Sequence, residues 1–469
     1  MTQSKSVARS VARETPTTGL VVAKFGGTSV ADYPALLRCA HIIENNPMTR
    51  IVVVSAAAGV TNRLAALSAG IDEQAERQRL LSEIMDIQHR ITAELKPRPE
   101  ASAQLREYLV LMAQYSELIA EGAGDGGTPD ALLALGERCS SLLLAELLQQ
   151  RGVQARDFNA CEVIRTDSHF GHAEPRPKRI GMLAREFLLP VIQDEVAVTQ
   201  GFIGADAAMR TTTLGRGGSD YSAALFAEAV RAQSLEIWTD VDGIYTCDPR
   251  QVPKARPIAE LTFAEAAEMA TFGAKILHPA TLLPAQRGAI PVFVGCSREP
   301  EKPGTWIRNQ TASRPVCRAL SVRRGQTLLT VRSLNMLHAR GFLAELFATL
   351  ARHRISVDLI TTSEVSVALT LDPTGSHSSG RKLVTEALLA DLKKLCDVSV
   401  EEGLALVAVI GHQLTSTPDV ASRLFSMIGA RNIRMVSHGA SPNNLCFLVH
   451  EADASDVLQT LHRGFLENP

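Results

Sequence analysis

The residues best suited to chemistry lie in the stretch Arg210-Thr-Thr-Thr-Leu-Gly-Arg-Gly-Gly-Ser-Asp220. Gly215, Gly217 and Gly218 let the backbone turn sharply and bring N–H groups close to an anion. Thr211, Thr212, Thr213 and Ser219 add hydroxyls, Arg216 adds a planar fork of donors matched to a carboxylate or phosphate, and Asp220 adds one acid. A strand-like run, Val196–Ile203, precedes the loop, and the Ala-rich, helix-favouring run Tyr221–Ala229 follows it. Strand, Gly/Thr/Ser loop and helix N-terminus together hold anions well. Taken alone, the same stretch also reads as an ordinary connection rich in Gly and Ser.

Other clusters support the first reading. Leu20-Val-Val-Ala-Lys-Phe-Gly-Gly-Thr-Ser-Val30 is a strand running into a glycine turn, with Lys24 at the strand's end. An ammonium and free backbone N–H groups then share one spot, although G-x-x-x-x-G-K-[ST] is absent. Arg50-Ile-Val-Val-Val-Ser55 is a fully buried strand by its β-branched run, and it ends in Ala-Ala-Ala-Gly59-Val-Thr61-Asn62. Ser234–Tyr245 is a strand whose end bears Thr239, Asp240, Asp242 and Tyr245, followed by a turn exposing Arg250. Successive strand–turn–helix units argue for a parallel α/β sheet whose strands end at one ligand-lined edge.

The remaining elements must position these groups. Helical spacing is expected over 33–45 and again over 63–121, the latter covering or capping that edge. The literal G-x-G-x-x-G of Gly122, Gly124 and Gly127 follows a helix instead of a strand and reads as a connector. A helix from Thr128 carries Gly136-Glu137, and Glu137 by default is a solvated surface acid. Gln154–Phe158 and Ile290–Val294 read as strands, and Phe263–Phe272 as an amphipathic helix leading to Gly273-Ala-Lys275-Ile276. His169-Phe-Gly-His172 has no third ligand nearby, so a metal site is not expected.

Pro303-Gly304 and the polar run 308–314 mark a boundary, beyond which the chain repeats itself. Strand 327–332, helix 343–350, strands 355–361 and 365–371, helix 383–395 and strand 397–401 make one βαββαβ unit. A second begins at Leu404 and stops one strand short, leaving an open edge. The unassigned segment Val316–Val322 is expected to complete it, so that one copy is threaded through the other.

Composition bounds the rest. The 469 residues suffice for two to three domains, and a net charge of −2 leaves only local cationic patches, so nucleic-acid binding is not indicated. Eight Cys occur singly, without C-x-x-C, as in reduced thiols of a cytoplasmic protein. No apolar run reaches the roughly 20 residues of a membrane span. Residues 1–19 read as a disordered leader.

Five blocks in order, Lys24–Val30, Leu214–Asp220, Trp238–Thr246, Asp248-Pro-Arg250 and Phe272–Ala280, resemble aspartokinases over essentially everything after residue 19. The resemblance implies an α/β amino-acid kinase fold, mainly a parallel sheet sandwiched by helices, followed by two ACT domains of ferredoxin-like βαββαβ type. It divides the chain into a catalytic domain at 20–310, ACT domain 1 at 325–402, and ACT domain 2 at 316–324 plus 403–469. Ser333–His338, Gly341-Phe-Leu343 and Val357–Ser366 are most similar to the lysine-inhibited, monofunctional class, and no dehydrogenase segment follows.

By that resemblance the activity is transfer of the γ-phosphoryl of ATP to the β-carboxylate of L-aspartate, with Mg2+ held mainly by the nucleotide phosphates. Lys24, Arg216 and Asp220 would be catalytic, Asp220 orienting Lys24 or approaching the Mg2+ shell. Ser55, Thr61, Glu137, Phe202, Arg216, Gly217, Gly218 and Ser219 would form the aspartate pocket, Glu137 meeting the α-ammonium. Lys24, Phe25, Gly26, Gly27, Thr239, Asp240, Tyr245, Arg250, Lys275 and Ile276 would line the ATP site. A kinase of the same fold acting on another acid, and a kinase-dead amino-acid sensor, are the competing readings.

The first repeat offers an effector site. The loop 336–341 opens the helix at Phe342, whose N–H groups suit an α-carboxylate, while Asp358 and Glu364 suit ammonium groups. An amino acid cationic at both ends fits, and the resemblance names lysine. Met336, His338, Ala339, Gly341, Phe342, Leu343, Ser356, Val357, Asp358, Ser363 and Glu364 would contact it. Ala57 and Ala339 stand where relatives often carry Ser. The resemblance further implies a homodimer through the ACT domains, and leaves open whether lysine drives a tetramer.

Overall fold

In a computed structural model of the chain, residues 19–273, 277, 279–333, 336, 340–371 and 383–467 are described. They divide into two compact units: one runs to Asp242 and resumes over Ala280–Arg308, the other takes Gly243–Pro279 and Asn309–Pro469.

The first unit opens with β1 (Val21–Phe25), α1 (Tyr33–Glu44) and β2 (Thr49–Val54). Asp32 starts α1 by accepting the Ala35 N–H at 2.8 Å, with Pro in the first turn. Next come α2 (Val60–Ser68), α3 (Gln74–Leu95), α4 (Pro99–Ala120), α5 (Thr128–Gln150), β3 (Ala155–Phe158), α6 (Pro177–Leu183), α7 (Leu189–Asp194) and β4 (Val196–Gln200). A two-stranded ribbon of β5 (Ile203–Ala205) and β6 (Thr211–Thr213) leads to α8 (Gly218–Val230) and β7 (Ser234–Thr239). The chain then gives β8 (Glu260–Thr262) and α9 (Phe263–Thr271) to the second unit, and returns with α10 (Pro279–Arg287), β9 (Val292–Cys296) and β10 (Thr305–Arg308).

The sheet order is β3-β4-β2-β1-β7-β9-β10. All pairs are parallel except β9 with β10. Buried Val, Ile and Phe on β1 and β2 make continuous apolar runs, as a strand covered on both faces requires. Helices α3 and α4 pack on α1, α2 and α5. They thicken one helical layer, where a cap over the strand ends was expected, because Leu80, Ile84, Ile87, Leu105 and Met112 bury themselves against α5 residues Leu132, Leu135 and Cys139.

The run 196–203 was expected as one strand, but it breaks at Phe202, which has φ +69°. Thr211–Thr213, expected as loop hydroxyls, form β6 instead, their β-branched side chains favouring extended backbone.

In the second unit a capping box of Thr262 and Glu265 starts α9. The sheet is built from β11 (Ala319–Arg332), β12 (Val357–Thr362), β13 (Ser366–Leu371), β14 (Asp397–Ile410), β15 (Met435–His438) and β16 (Asn444–His450). Its order is β12-β13-β11-β14-β16-β15, antiparallel throughout. Two buried clusters line it. Leu329, Val331, Val367 and Leu369 pack under α11 (Phe342–Arg352) and α12 (Glu386–Lys393). Val407, Val409, Phe447 and Val449 pack under α13 (Val420–Ile428) and α14 (Ala454–His462).

The long strands β11 and β14 are shared between these clusters. Ala319–Arg323 pairs with Leu406–Ile410, while Gln326–Arg332 pairs with Asp397–Leu404 and, from Thr327, with β13. The strand-like stretch 316–322 thus enters the sheet from Ala319 onward, beside the first strand of the second repeat.

Residues 243–279, read from sequence with the catalytic stretch, group with the repeats. Cys247 and Val252 join the second buried cluster, and Arg318 meets Glu265 at 3.2 Å with both side chains buried. Ser321 Oγ donates to the Phe272 carbonyl at 2.8 Å, and Glu268 accepts from Ser441 and Asn444.

Candidate active site

Because β1, β2, β4 and β7 are parallel and in register, their ends align: Phe25 lies beside Val54 and Trp238, and Val54 beside Gln200. The loops beginning at Gly26, Ser55, Gly201 and Asp240 therefore leave one edge of the sheet, where ligands bind in open α/β folds.

Lys24 is buried near the end of β1, and its Nζ lies 2.5 Å from Asp220 Oδ1 in the first turn of α8. The pair holds an ammonium, its charge partly offset, at the strand edge. Gly27 makes a close approach to the neighbouring loop: a Cβ there would lie 2.8 Å from the Ala56 carbonyl oxygen. Its own carbonyl accepts the Ala58 N–H at 3.0 Å. The Gly26 N–H, expected to be available to a phosphate, donates instead to the Trp238 carbonyl at 3.1 Å.

Glu137 is fully buried on α5 and not a solvated surface acid. Its Oε1 accepts the Ala56 N–H at 3.2 Å. Gly136 makes that approach possible, since a Cβ there would stand 2.8 Å from the Ala56 methyl. Burial pushes the Glu137 carboxyl up to about 8, against the smaller opposing pulls of its backbone hydrogen bonds and the Lys24 charge. Ser55 is half-buried and donates its N–H to the Phe25 carbonyl at 3.1 Å, while Thr61 is exposed in the first turn of α2.

The glycine loop sits on the Phe202 turn. A Cβ at Gly218 would come within 2.6 Å of the Phe202 ring, and one at Gly201 within 2.6 Å of Ser219 Cβ. Ser222 Oγ, one turn into α8, accepts the Phe202 N–H at 2.9 Å and holds its left-handed backbone. Gly217 caps α8 with φ +73° and no side-chain cap, leaving first-turn N–H groups for an anion. The Gly218 N–H is taken by the Gly215 carbonyl at 3.0 Å, so Gly218 serves the turn's shape. Arg216 is exposed and makes no hydrogen bond or ion pair among the described residues.

Ser297 ties the edge together: its Oγ lies 2.7 Å from Ser29 Oγ, and its N–H and Oγ both donate to the Thr239 carbonyl at 2.8 and 3.1 Å. Asp240 is exposed beside Thr239, with 3.2 Å between Oγ1 and Oδ1. Neither Ser222 nor Ser297 stood out in the sequence. Ser222, four residues after Gly218, had a usable signal in its helical spacing.

Tyr245 and Arg250 belong to the second unit. Tyr245 bridges the backbone of Pro257, and Arg250 forks onto Asp248 at 3.0 and 2.9 Å, holding that carboxyl down at about 2. Lys275 and Ile276 lie outside the described residues, as do His338 and Ala339. Of the effector residues, Gly341 caps α11 with φ +96° and no side-chain cap, Phe342 and Leu343 begin the helix, and Met336 donates its N–H to Ser333. Ser356 and Val357 are half-buried, and the Asp358 carboxylate pairs with Arg323. Ser363 bonds Ser366 at 2.6 Å and Glu364 is exposed. Among the described residues no three His, Cys, Asp or Glu come together as metal ligands, and no helix is long and apolar enough to cross a membrane.

A parallel sheet with a buried Lys–Asp pair and a glycine-capped helix at its edge, joined to an antiparallel sheet carrying repeats, is the architecture of an amino acid kinase with an ACT region. The amino acid kinase family matches residues 19–296 and an ACT domain matches residues 407–465. Lysine-sensitive aspartokinase 3 of Escherichia coli (strain K12) is 53% identical over 451 residues, covering 96% of this chain and 99% of that protein. Aspartokinase 1, chloroplastic, of Arabidopsis thaliana is 34% identical over 494 residues, covering 99% and 85%. The chain belongs to the aspartokinases. Its fold matches E. coli aspartokinase III in complex with aspartate and ADP (R-state) with a TM-score of 0.85 at 53% identity, covering 95% of this chain and 99% of that one. The lysine and aspartate complex (T-state) matches with a TM-score of 0.84 at 52% identity, covering 96% and 100%.

Proposed function

We propose that this protein transfers the γ-phosphoryl of ATP to the β-carboxylate of L-aspartate, giving 4-phospho-L-aspartate, the first step toward lysine, threonine and methionine, under feedback by L-lysine. The observation that carries the substrate reading is Arg216: a guanidinium without a partner among the described residues, just before a glycine-capped helix start, in a unit that also buries Glu137 against Ala56. Together they suit the carboxylate and the ammonium of one free amino acid.

Phosphoryl transfer between anions is mainly positioning and charge neutralisation. Arg216 grips a substrate carboxylate through two parallel N–H bonds, and Glu137 receives the ammonium. Ser55, Thr61 and the first turn of α8 complete the pocket. Lys24, oriented by Asp220, meets the transferring phosphate, and Thr239 and Asp240 line the nucleotide site. The attacking carboxylate is already ionised, so no general base is needed. When bound with the nucleotide, Mg2+ would supply charge neutralisation at the phosphates. The donor set fits an ion that the nucleotide would carry, since Asp220 is engaged by Lys24 and no cage of acids stands nearby among the described residues.

For regulation, the uncapped start of α11 takes the lysine carboxylate, while Asp358 and Glu364 take its cationic groups. Arg323 already occupies Asp358, so lysine competes with an internal cation. The exposed edge strand β12 suits pairing with a second copy, as a homodimer.

The test is Arg216→Lys in a hydroxamate assay with aspartate and ATP. Losing a bidentate grip should cut kcat/KM for aspartate at least about tenfold and leave the ATP KM little changed. Unchanged aspartate kinetics would remove Arg216 from the pocket.

A further inference from the structure

One buried acid of the first unit that the reaction leaves unused is Asp130, in the first turn of α5 and 2% exposed. One of its oxygens, Oδ2, accepts two backbone N–H groups, from Thr213 at 2.7 Å and from Gly171 at 2.9 Å. Thr213 is the last residue of β6, three positions before Arg216. Leu214 follows, with its N–H on the Phe202 carbonyl at 2.9 Å, and then the glycine turn begins.

The second N–H belongs to the His169-Phe-Gly-His172 segment. Ala173, just beyond it, donates its N–H to the Thr213 carbonyl at 2.8 Å, so Thr213 is held on both its polar backbone groups. The His172 ring stands directly on the turn: a Cβ at Gly215, where φ is +76°, would lie 2.1 Å from His172 Nδ1. Phe170 packs on Gly127 on one side, and the Arg210 guanidinium lies over its ring at 4.8 Å. His172 is therefore a wall behind the substrate loop.

We propose that Asp130 is a positioning residue that sets substrate length, by fixing the loop of Arg216 relative to Glu137 on the same helix. The seven residues from Asp130 to Glu137 make two helical turns, about 10.5 Å along one face. One rigid helix thus carries the ammonium acceptor at one point and, through Thr213, the carboxylate clamp at another. With the side-chain carboxylate in the Arg216 clamp and the ammonium at Glu137, a fixed separation selects a four-carbon amino diacid over its five-carbon homologue; a loosened clamp accepts both more evenly. This inference rests on the pocket reading given above.

The experiment compares Asp130→Ala, Asp130→Asn and His172→Ala in the full chain. Asp130→Ala should raise the aspartate KM about tenfold, leave the ATP KM within about twofold, and reduce aspartate-over-glutamate discrimination about tenfold. Asp130→Asn keeps an acceptor oxygen at the same atom and should restore all three to within about threefold. His172→Ala, at an exposed position, should lower discrimination in the same direction without loss of folding. Amide exchange across 211–219 should quicken in Asp130→Ala and stay slow in Asp130→Asn. Unchanged discrimination in Asp130→Ala, or equal losses toward ATP and aspartate, overturns the proposal. Should Asp130→Ala not fold, unchanged discrimination in His172→Ala or a lack of rescue in Asp130→Asn overturns it. If Arg216→Lys shows normal aspartate kinetics, the pocket reading falls and the ruler with it, whereas normal Asp130→Ala beside a defective Arg216→Lys sinks the ruler alone.

Discussion

Glu137 yields the sharpest test of the substrate site. Its carboxyl titrates near 8 in the free protein because burial disfavours the charge, and the Ala56 N–H offsets only part of that cost. An aspartate ammonium requires the ionised form, of which about a tenth exists at pH 7 with such a pKa. The aspartate KM should therefore fall about tenfold between about pH 7 and about pH 9, with kcat nearly level, and kcat/KM should rise through about pH 8. Glu137→Gln should raise the KM at high pH by at least about tenfold, consistent with a charge-assisted bond of roughly 1.5–3 kcal/mol, and erase the step near 8. Asp157, raised by burial to about 6, is a separate titration and should survive the substitution. Stability carries the opposite sign. The folded carboxyl keeps its proton between about 4.5 and about 8 where the unfolded one has lost it, so this group's contribution falls as pH rises through that window. Glu137→Gln should flatten that part of the Tm profile. A wild-type aspartate KM that is flat from about pH 6.5 to about pH 9 refutes the assignment, as does a step near 8 that persists in the Gln variant.

Three other outcomes are expected. Gly136→Ala inserts a methyl 2.8 Å from the Ala56 Cβ and 3.0 Å from Leu64 Cδ1; thermal unfolding should show a loss of about 1–3 kcal/mol, accompanied by a higher aspartate KM. Asp358→Ala or Glu364→Ala should retain uninhibited activity and need at least about tenfold more lysine for half inhibition, about 1.4 kcal/mol, in a lysine titration of the kinase assay. Arg323→Ala frees Asp358 from its internal cation and should lower the lysine requirement by up to about fivefold, the range of a part-exposed ion pair.

The legible parts of the sequence were those with a local cause. Apolar β-branched runs marked β1, β2 and β4, and glycines followed by small residues marked the turns beyond them. Lys24 and Asp220, 196 positions apart, were both singled out, but their contact comes from the crossover that sets β1 beside β7 under α8. Phe202 had no local signal for a left-handed backbone: a bulky residue at φ +69° is held there by Ser222 and the Leu214 amide. Thr211–Thr213 carried a strand signal in their β-branching, hidden by hydroxyls that also suited a binding loop. The short strands Glu260–Thr262 and Thr305–Arg308 span too few residues for periodicity to show. Glu137 needed the tertiary fold, since nothing local distinguishes a buried helical acid from a solvated one.

The shared strands β11 and β14 bear on how the chain is made. Ala319 pairs with Ile410, 91 positions later, so its hydrogen-bonding groups emerge from the ribosome long before their partners exist. During synthesis the first repeat acquires its own partners at Asp397–Glu401, while Ala319–Arg323 waits as an unprotected edge. Closure of so long a loop is slow, and it completes the second repeat only after the first has its own partners. The second repeat cut from the chain before it therefore leaves with an exposed β edge at Leu406–Ile410, which makes aggregation, and not a tidy isolated module, its expected fate when expressed alone.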